Sequence, residues 1–161
     1  MGKQTVFFAR GKRGFTLIEL VMVLILVGIL AVAVIPRFAQ RDTFDTRGFF
    51  DQSIAMLRYA QKAAIAQGRN VFVNINPTVI CLTYVADASC TSSATAEQVL
   101  DPATSTWFRK LAPNGTSLGA AQSFSFTALG RPNPNNAVSV AMTGAGINQT
   151  IIVERDTGYV H

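Results

Sequence analysis

Little in this chain suits chemistry. Its 161 residues hold one histidine, the terminal His161, and two cysteines, Cys81 and Cys90. A metal centre needs three or four converging His, Cys or carboxylate ligands, and neither cysteine has a histidine near it in sequence. Beyond Glu19, the carboxylates at positions 42, 45, 51, 87, 97, 101, 154 and 156 are scattered, and no two are spaced as an acid/base pair. The sequence therefore predicts no catalytic residues, no metal and no cofactor, and argues against an enzyme. Charged residues are scarce as well, at 14% of the chain, about half the share in soluble globular proteins. Part of the chain is thereby expected to sit in lipid. The formal charge of +5 suggests a nucleic-acid binder until it is located. Lys3, Arg10, Lys12 and Arg13 lie in the first 14 residues, which contain no acid, and the remaining ten cations face nine acids. The basicity belongs to the N-terminal tail.

What the chain does have is a long apolar run. Residues 15 to 35 read FTLIELVMVLILVGILAVAVI, and 21 helical positions at about 1.5 Å each span roughly 31 Å, the thickness of a bilayer core. The cations before the run have no acids among them, whereas Arg37, Arg41 and Arg47 beyond it are interleaved with Asp42 and Asp45. The positive-inside bias then places residues 1 to 14 in the cytoplasm and the chain after Pro36 on the far side of the inner membrane. A cleaved secretory signal is the rival reading, since Ala31-Val32-Ala33 has the small-residue pattern of a cleavage site. Two features oppose it: the run exceeds a usual h-region, and Glu19 interrupts its first turn. A carboxylate costs about 2.5–3.5 kcal/mol at mid-bilayer and less near the edge, so Glu19 calls for a partner.

The junction Arg13-Gly14-Phe15-Thr16-Leu17-Ile18-Glu19-Leu20 resembles that of type IV prepilins and pseudopilins. The resemblance implies cleavage between Gly14 and Phe15 by prepilin peptidase and N-methylation of Phe15. It also implies an assembly ion pair in which Glu19 neutralises the Phe15 amine of a neighbouring subunit. Such a pair in a low-dielectric bundle would offset the burial cost of the carboxylate. The implied partners are prepilin peptidase, the inner membrane, the pilus assembly machinery and other pilin subunits joined through their N-terminal helices. Gly28 and Pro36 stand where the family often loosens the helix, and read equally well as a tolerated membrane glycine and a membrane exit.

Beyond Pro36, apolar residues at Phe50, Ile54, Leu57, Tyr59, Ala60 and Ala64 keep to one helical face. The helix is expected to run to about Gln67 with Gly68 as its cap, loosened between Asp42 and Asp45 and at Arg47-Gly48. From residue 70 the pattern alternates in short runs, at Val71 to Ile75, Val79 to Val85, Phe124 to Phe126, Val138 to Met142 and Ile151 to Val153. Clusters such as Asn76-Pro77, Pro113-Asn114-Gly115, 131 to 135 and 143 to 146 separate them. The expected fold is α+β: a long N-terminal helix packed on a small antiparallel β head of two sheets with five or six strands. Its divisions are a leader at 1 to 14, a membrane or filament-core helix at 15 to 35, an amphipathic continuation at 36 to 68 and a periplasmic head at 69 to 161. In an oxidising compartment Cys81 and Cys90 would close a ten-residue loop as a disulfide, worth roughly 2.7 kcal/mol on the chain-entropy model. Two free buried thiols are the other reading.

Ala128-Leu129-Gly130-Arg131-Pro132 and Thr157-Gly158-Tyr159-Val160-His161 resemble the C-terminal half of GspH/FimT-type minor pilins, and within that group those of mannose-sensitive haemagglutinin pili. The function implied is that of a minor pilin structural subunit in filament initiation or adhesion. A minor pseudopilin of a type II secretion system shares every N-terminal feature. DNA capture would need Arg109, Lys110, Arg131 and Arg155 clustered with few acids, but Glu97, Asp101, Glu154 and Asp156 lie near them in sequence, which favours a mixed solvated surface.

Overall fold

The computed structural model describes residues 14 to 91 and 94 to 161; the side chains of 32 to 40 lie outside that description. Apart from Gly14, the expected leader is outside it too. By internal contacts the chain divides into Met1–Phe38 and Ala39–His161.

One helix, α1, runs Leu17–Gln67. It stops where a glycine lets the backbone reverse: Gly68 has φ +63°, its N–H donates to the Ile65 carbonyl at 3.3 Å, and that of Arg69 reaches back to Ala64 at 3.2 Å. This is the Schellman closure that satisfies two terminal carbonyls. The expected loosening between Asp42 and Gly48 is absent, because α1 is continuous there. Tertiary contacts override the local preference. Thr46 is buried and its hydroxyl donates to the Asp42 carbonyl at 2.8 Å and shares a 2.8 Å hydrogen bond with Thr116 of the sheet.

In the Ala39–His161 unit, Phe49, Ser53, Met56, Leu57, Ala60, Ala63 and Ala64 of α1 are buried. Their three- and four-residue spacing makes one stripe, and the Ser53 hydroxyl is satisfied within the helix by the Phe49 carbonyl at 2.8 Å. Eight strands follow: β1 Val71–Asn76, β2 Val79–Thr83, β3 Arg109–Leu111, β4 Thr116–Leu118, β5 Gln122–Phe126, β6 Pro132–Asn133, β7 Val138–Gly144 and β8 Ile147–Val153. All pairs are antiparallel, in a five-stranded sheet ordered β3-β2-β1-β5-β6 and a three-stranded sheet ordered β4-β7-β8. The two-sheet α+β head is as expected. The strand number is higher, because β3, β4 and β6 are only three, three and two residues long and carry no period that sequence could show. The run at 79 to 85 also ends early, at Thr83.

Inward residues of both sheets, among them Val73, Ile75, Ile80, Leu82, Phe126, Val140, Met142 and Ile151, pack with the α1 stripe in one core. The opposite face of the larger sheet carries a second, smaller cluster of Val79, Cys81 and Cys90 with Trp107 against it. That explains why all five β2 residues are buried: the strand is covered on both faces.

Candidate functional site

Gly14, Phe15 and Thr16 precede α1 in non-helical conformation. Thr16 caps the helix: its hydroxyl accepts the Glu19 N–H at 3.3 Å and its carbonyl accepts that of Leu20 at 3.2 Å. A Thr at N-cap with Glu three residues on is the capping-box order, legible in Thr16-Leu17-Ile18-Glu19 though unread above. Glu19 therefore lies in the first helical turn, where the exposed N–H groups favour a negative charge. Its side chain is exposed, and among the described residues its carboxylate meets no partner. Gly14 is exposed, and among the described residues nothing lies within 4 Å of where a Cβ would stand.

From Phe15 to Leu30 every large apolar side chain is exposed, from 39% at Val21 to 81% at Leu17. A helix apolar on all sides needs an apolar surrounding on all sides. Among the described residues no helix is long and apolar enough to cross a membrane; the apolar run of the sequence continues into residues 32 to 40, whose side chains are outside the description.

In the head, Cys81 and Cys90 form a disulfide, and both residues are buried. The intervening loop is held by Asn74 of β1, fully buried on the same face. The Asn74 amide donates to Thr83 Oγ1 at 2.6 Å, and its oxygen accepts the Asp87 N–H at 3.0 Å and the Ser123 hydroxyl at 2.6 Å. Sequence inspection missed this residue, since an Asn in a strand declares nothing until its neighbours are known.

The two C-terminal segments singled out by resemblance, 128 to 132 and 157 to 161, meet on α1. Gln61 Nε2 donates to the Gly130 carbonyl at 3.0 Å and to the Thr157 carbonyl at 2.9 Å, while Arg58 donates to the Val160 carbonyl at 2.9 Å and 3.2 Å. Gly158, at φ +66°, comes so close to Gly130 that a Cβ would stand 1.9 Å from the Gly130 carbonyl oxygen. The segment then pairs with β8, through the Val153–Val160 bridge and mutual Ile152–His161 hydrogen bonds at 2.7 Å and 3.0 Å.

The four head cations stand among acids, and Arg131 and Arg155 act on the same carboxylate, Asp156. Lys110 lies 3.9 Å from Asp101, and Arg109 sits 5.6 Å from the centre of the Trp107 ring. Arg155 is paired with Asp156 at 3.1 Å; the hydrogen bond and the charge of Arg155 lower the Asp156 pKa, with a further contribution from Arg131. Among the described residues no group of three or more His, Cys, Asp or Glu is arranged to hold a metal ion.

Residues 9–35 match the family described as the prokaryotic N-terminal methylation motif. The fold is that of minor pilins and pseudopilins. The type IV minor pilin FimU of Pseudomonas aeruginosa resembles it with a TM-score of 0.50 at 16% identity, over 69% of this chain and 86% of that one. A second crystal form of FimU gives 0.51 at 15%, over 69% and 82%. The minor pseudopilin EpsH from the type 2 secretion system of Vibrio cholerae gives 0.54 at 11%, over 73% and 94%. No curated protein matches the sequence. Motif and fold together support a pilin-like or pseudopilin-like subunit. The methylation motif covers Gly14, Phe15 and Glu19, and it begins within the basic tail.

Proposed function

We propose that this chain is a minor pilin, a structural subunit of a type IV pilus of the mannose-sensitive haemagglutinin type, whose MshC subunit its C-terminal segments resemble. It enters the inner membrane with residues 1 to 14 in the cytoplasm and the head in the periplasm. Prepilin peptidase cuts between Gly14 and Phe15, Phe15 is methylated, and the mature subunit joins the filament through α1, where it acts in initiation or adhesion. The observation that carries this reading is the methylation motif of residues 9–35 standing at the start of a helix whose large apolar side chains from Leu17 to Leu30 are exposed all round. The helix supplies association through packing, and the Glu19 carboxylate, which meets no partner among the described residues, supplies register by pairing with the Phe15 amine of the next subunit.

The test is co-expression with a prepilin peptidase, followed by intact mass and N-terminal sequencing. A terminus at N-methyl-Phe15 is expected. A terminus after Ala33, or retention of Met1, refutes the reading. Glu19→Ala should still be cut but should fail to co-assemble with other pilins. A second reading, a minor pseudopilin of a type II secretion system, is favoured by the likeness to EpsH. Restoration of secretion rather than piliation, on complementing strains that lack the corresponding minor subunit, would select it.

A further inference from the structure

The Cys81–Cys90 bond lies on the outer face of the five-stranded sheet, with the loop between its two ends fastened to that same face. Cys81 is fully buried and Cys90 is 1% exposed. The Asn74 carbonyl oxygen stands 3.5 Å from Cys90 Sγ. Trp107 packs against the cluster of Val79, Cys81 and Cys90, and its indole N–H is fixed to the Leu82 carbonyl at 2.9 Å. Thiol–disulfide exchange requires a thiolate to reach one of the two sulfurs directly. Sulfurs buried to this degree offer it no approach.

The loop at residues 85 to 91 is held in two ways. Within itself it is tied by Asp87, whose carbonyl accepts the Cys90 N–H at 2.9 Å and whose carboxylate accepts the Thr91 N–H at 2.8 Å. To the sheet it is tied by two β1 residues of the outer face. Asn74 Oδ1 accepts the Asp87 N–H at 3.0 Å, and Asn76 Nδ2 donates to the Ser89 carbonyl at 3.3 Å. No residue from 85 to 91 belongs to the main core. Lifting the loop therefore exposes little apolar surface, which is the condition for local opening at low cost.

We infer that residues 85 to 91 form a lid over the disulfide, which lifts from Asn74 and Asn76 as a local unit while both sheets stay packed on α1. Only the lifted state exchanges with thiols. In reduction, a reductant thiolate bonds to one sulfur as the S–S bond breaks, and the other sulfur leaves as a thiolate. A second reductant thiolate then attacks the reductant sulfur of that mixed disulfide, so that both cysteines end reduced and the reductant ends as its own disulfide. The reverse reaction, with a disulfide-carrying oxidant, passes through the same state. The bond is thus made on a head whose lid is up and is shielded once the lid is down. The lid belongs to the head and works in the same way whether or not the chain is cut at Gly14.

The test is reduction of the full chain in detergent micelles by dithiothreitol, quenched by alkylation and followed by intact mass. The folded chain should be reduced at least roughly tenfold more slowly than the urea-unfolded chain, the effect of two hydrogen bonds that must open first. Its rate should change little with urea below the unfolding transition, because the lid exposes little surface. A folded rate equal to the unfolded one, or one that follows the global unfolding curve, overturns the lid. Two variants separate local from global opening. Asn76→Asp keeps the side-chain oxygen that accepts the Thr78 and Val79 N–H groups at 3.0 Å but loses the donor to Ser89. It should unfold near the wild-type urea midpoint and be reduced about fivefold faster. Gln61→Ala removes the hydrogen bonds to Gly130 and Thr157 and leaves the contacts of the lid intact. It should unfold at lower urea and be reduced at the wild-type rate. If Asn76→Asp is reduced no faster, or if reduction of Gln61→Ala speeds up in step with its loss of stability, the lid is refuted.

Discussion

Gly158→Ala tests whether the C-terminal segments are locked to the helix. At φ +66° an alanine is strained, and its Cβ would sit 1.9 Å from the Gly130 carbonyl oxygen and 2.7 Å from Gln61 Nε2. The left-handed conformation costs an alanine about 1 kcal/mol or somewhat more. Moving a backbone carbonyl aside adds about 1–3 kcal/mol, as in other overpacked sites, and carries off the Gln61 hydrogen bonds to Gly130 and Thr157, each worth about 1 kcal/mol. The sum is roughly 4–6 kcal/mol, or a fall of roughly 10–25 °C in Tm for a domain of this size. Gly115→Ala isolates the conformational part, since Gly115 has φ +75° with nothing within 4 Å of the added Cβ; it should cost only about 1 kcal/mol. Near-UV circular dichroism melts of the full chain in detergent read both. Equal Tm values for the two variants would refute the close approach of Gly158 to Gly130.

Other perturbations read other parts of the molecule. Reduction of Cys81–Cys90 should raise the mass by about 2 Da and lower head stability by about 2.7 kcal/mol on the chain-entropy model, measured by urea unfolding with and without reductant. Asn74→Ala strips partners from Thr83, Asp87 N–H and Ser123 and should cost about 3 kcal/mol, since buried groups left unpaired lose about 1–3 kcal/mol each; an unchanged urea midpoint would count against the network. Thr16→Ala should cost about 1 kcal/mol of local helix stability, visible as faster amide exchange at Glu19 and Leu20 with the head unaffected.

Much of this was legible because it rests on period. The Gln67–Gly68 helix end, the alternation of Val138, Val140 and Met142 and the Ala145-Gly146 hairpin tip each have a local cause that sequence displays. Both tip residues take positive φ, 49° and 76°, as a two-residue hairpin loop of this kind requires. The unbroken helix through Asp42 to Gly48 was not legible, because the contact that holds it, Thr46 with Thr116, joins positions seventy residues apart. The same is true of Gln61, whose two carbonyl partners lie 69 and 96 positions away. Local pattern records which face is apolar; it does not record which polar side chain on that face will find a distant backbone group. The Cys81–Cys90 spacing allowed bonded and free thiols alike, and what decides is placement: Cys81 on the outer face of β2, and Cys90 at φ 53° in a loop that Asn74 fastens to the same face.

The cap at Thr16 changes how the charge of Glu19 is accounted for. A carboxylate in the first turn gains about 0.3–1 kcal/mol from the helix dipole at exposed sites and up to about 2 kcal/mol where partly buried. Mid-bilayer burial costs about 2.5–3.5 kcal/mol. The helix start therefore offsets part of the cost within a single subunit and leaves about a kilocalorie or more unmet when the surroundings are apolar. Exposure of the apolar side chains from Phe15 to Leu30 means that those surroundings come from outside the chain. A free amine created at Phe15 would be a cation about one turn before Glu19 at the same end of the helix, so cleavage would supply the missing charge at the moment the helix becomes able to pack. On this argument an uncut chain keeps an uncompensated carboxylate and a bulky basic leader together, and both oppose entry into a helix bundle.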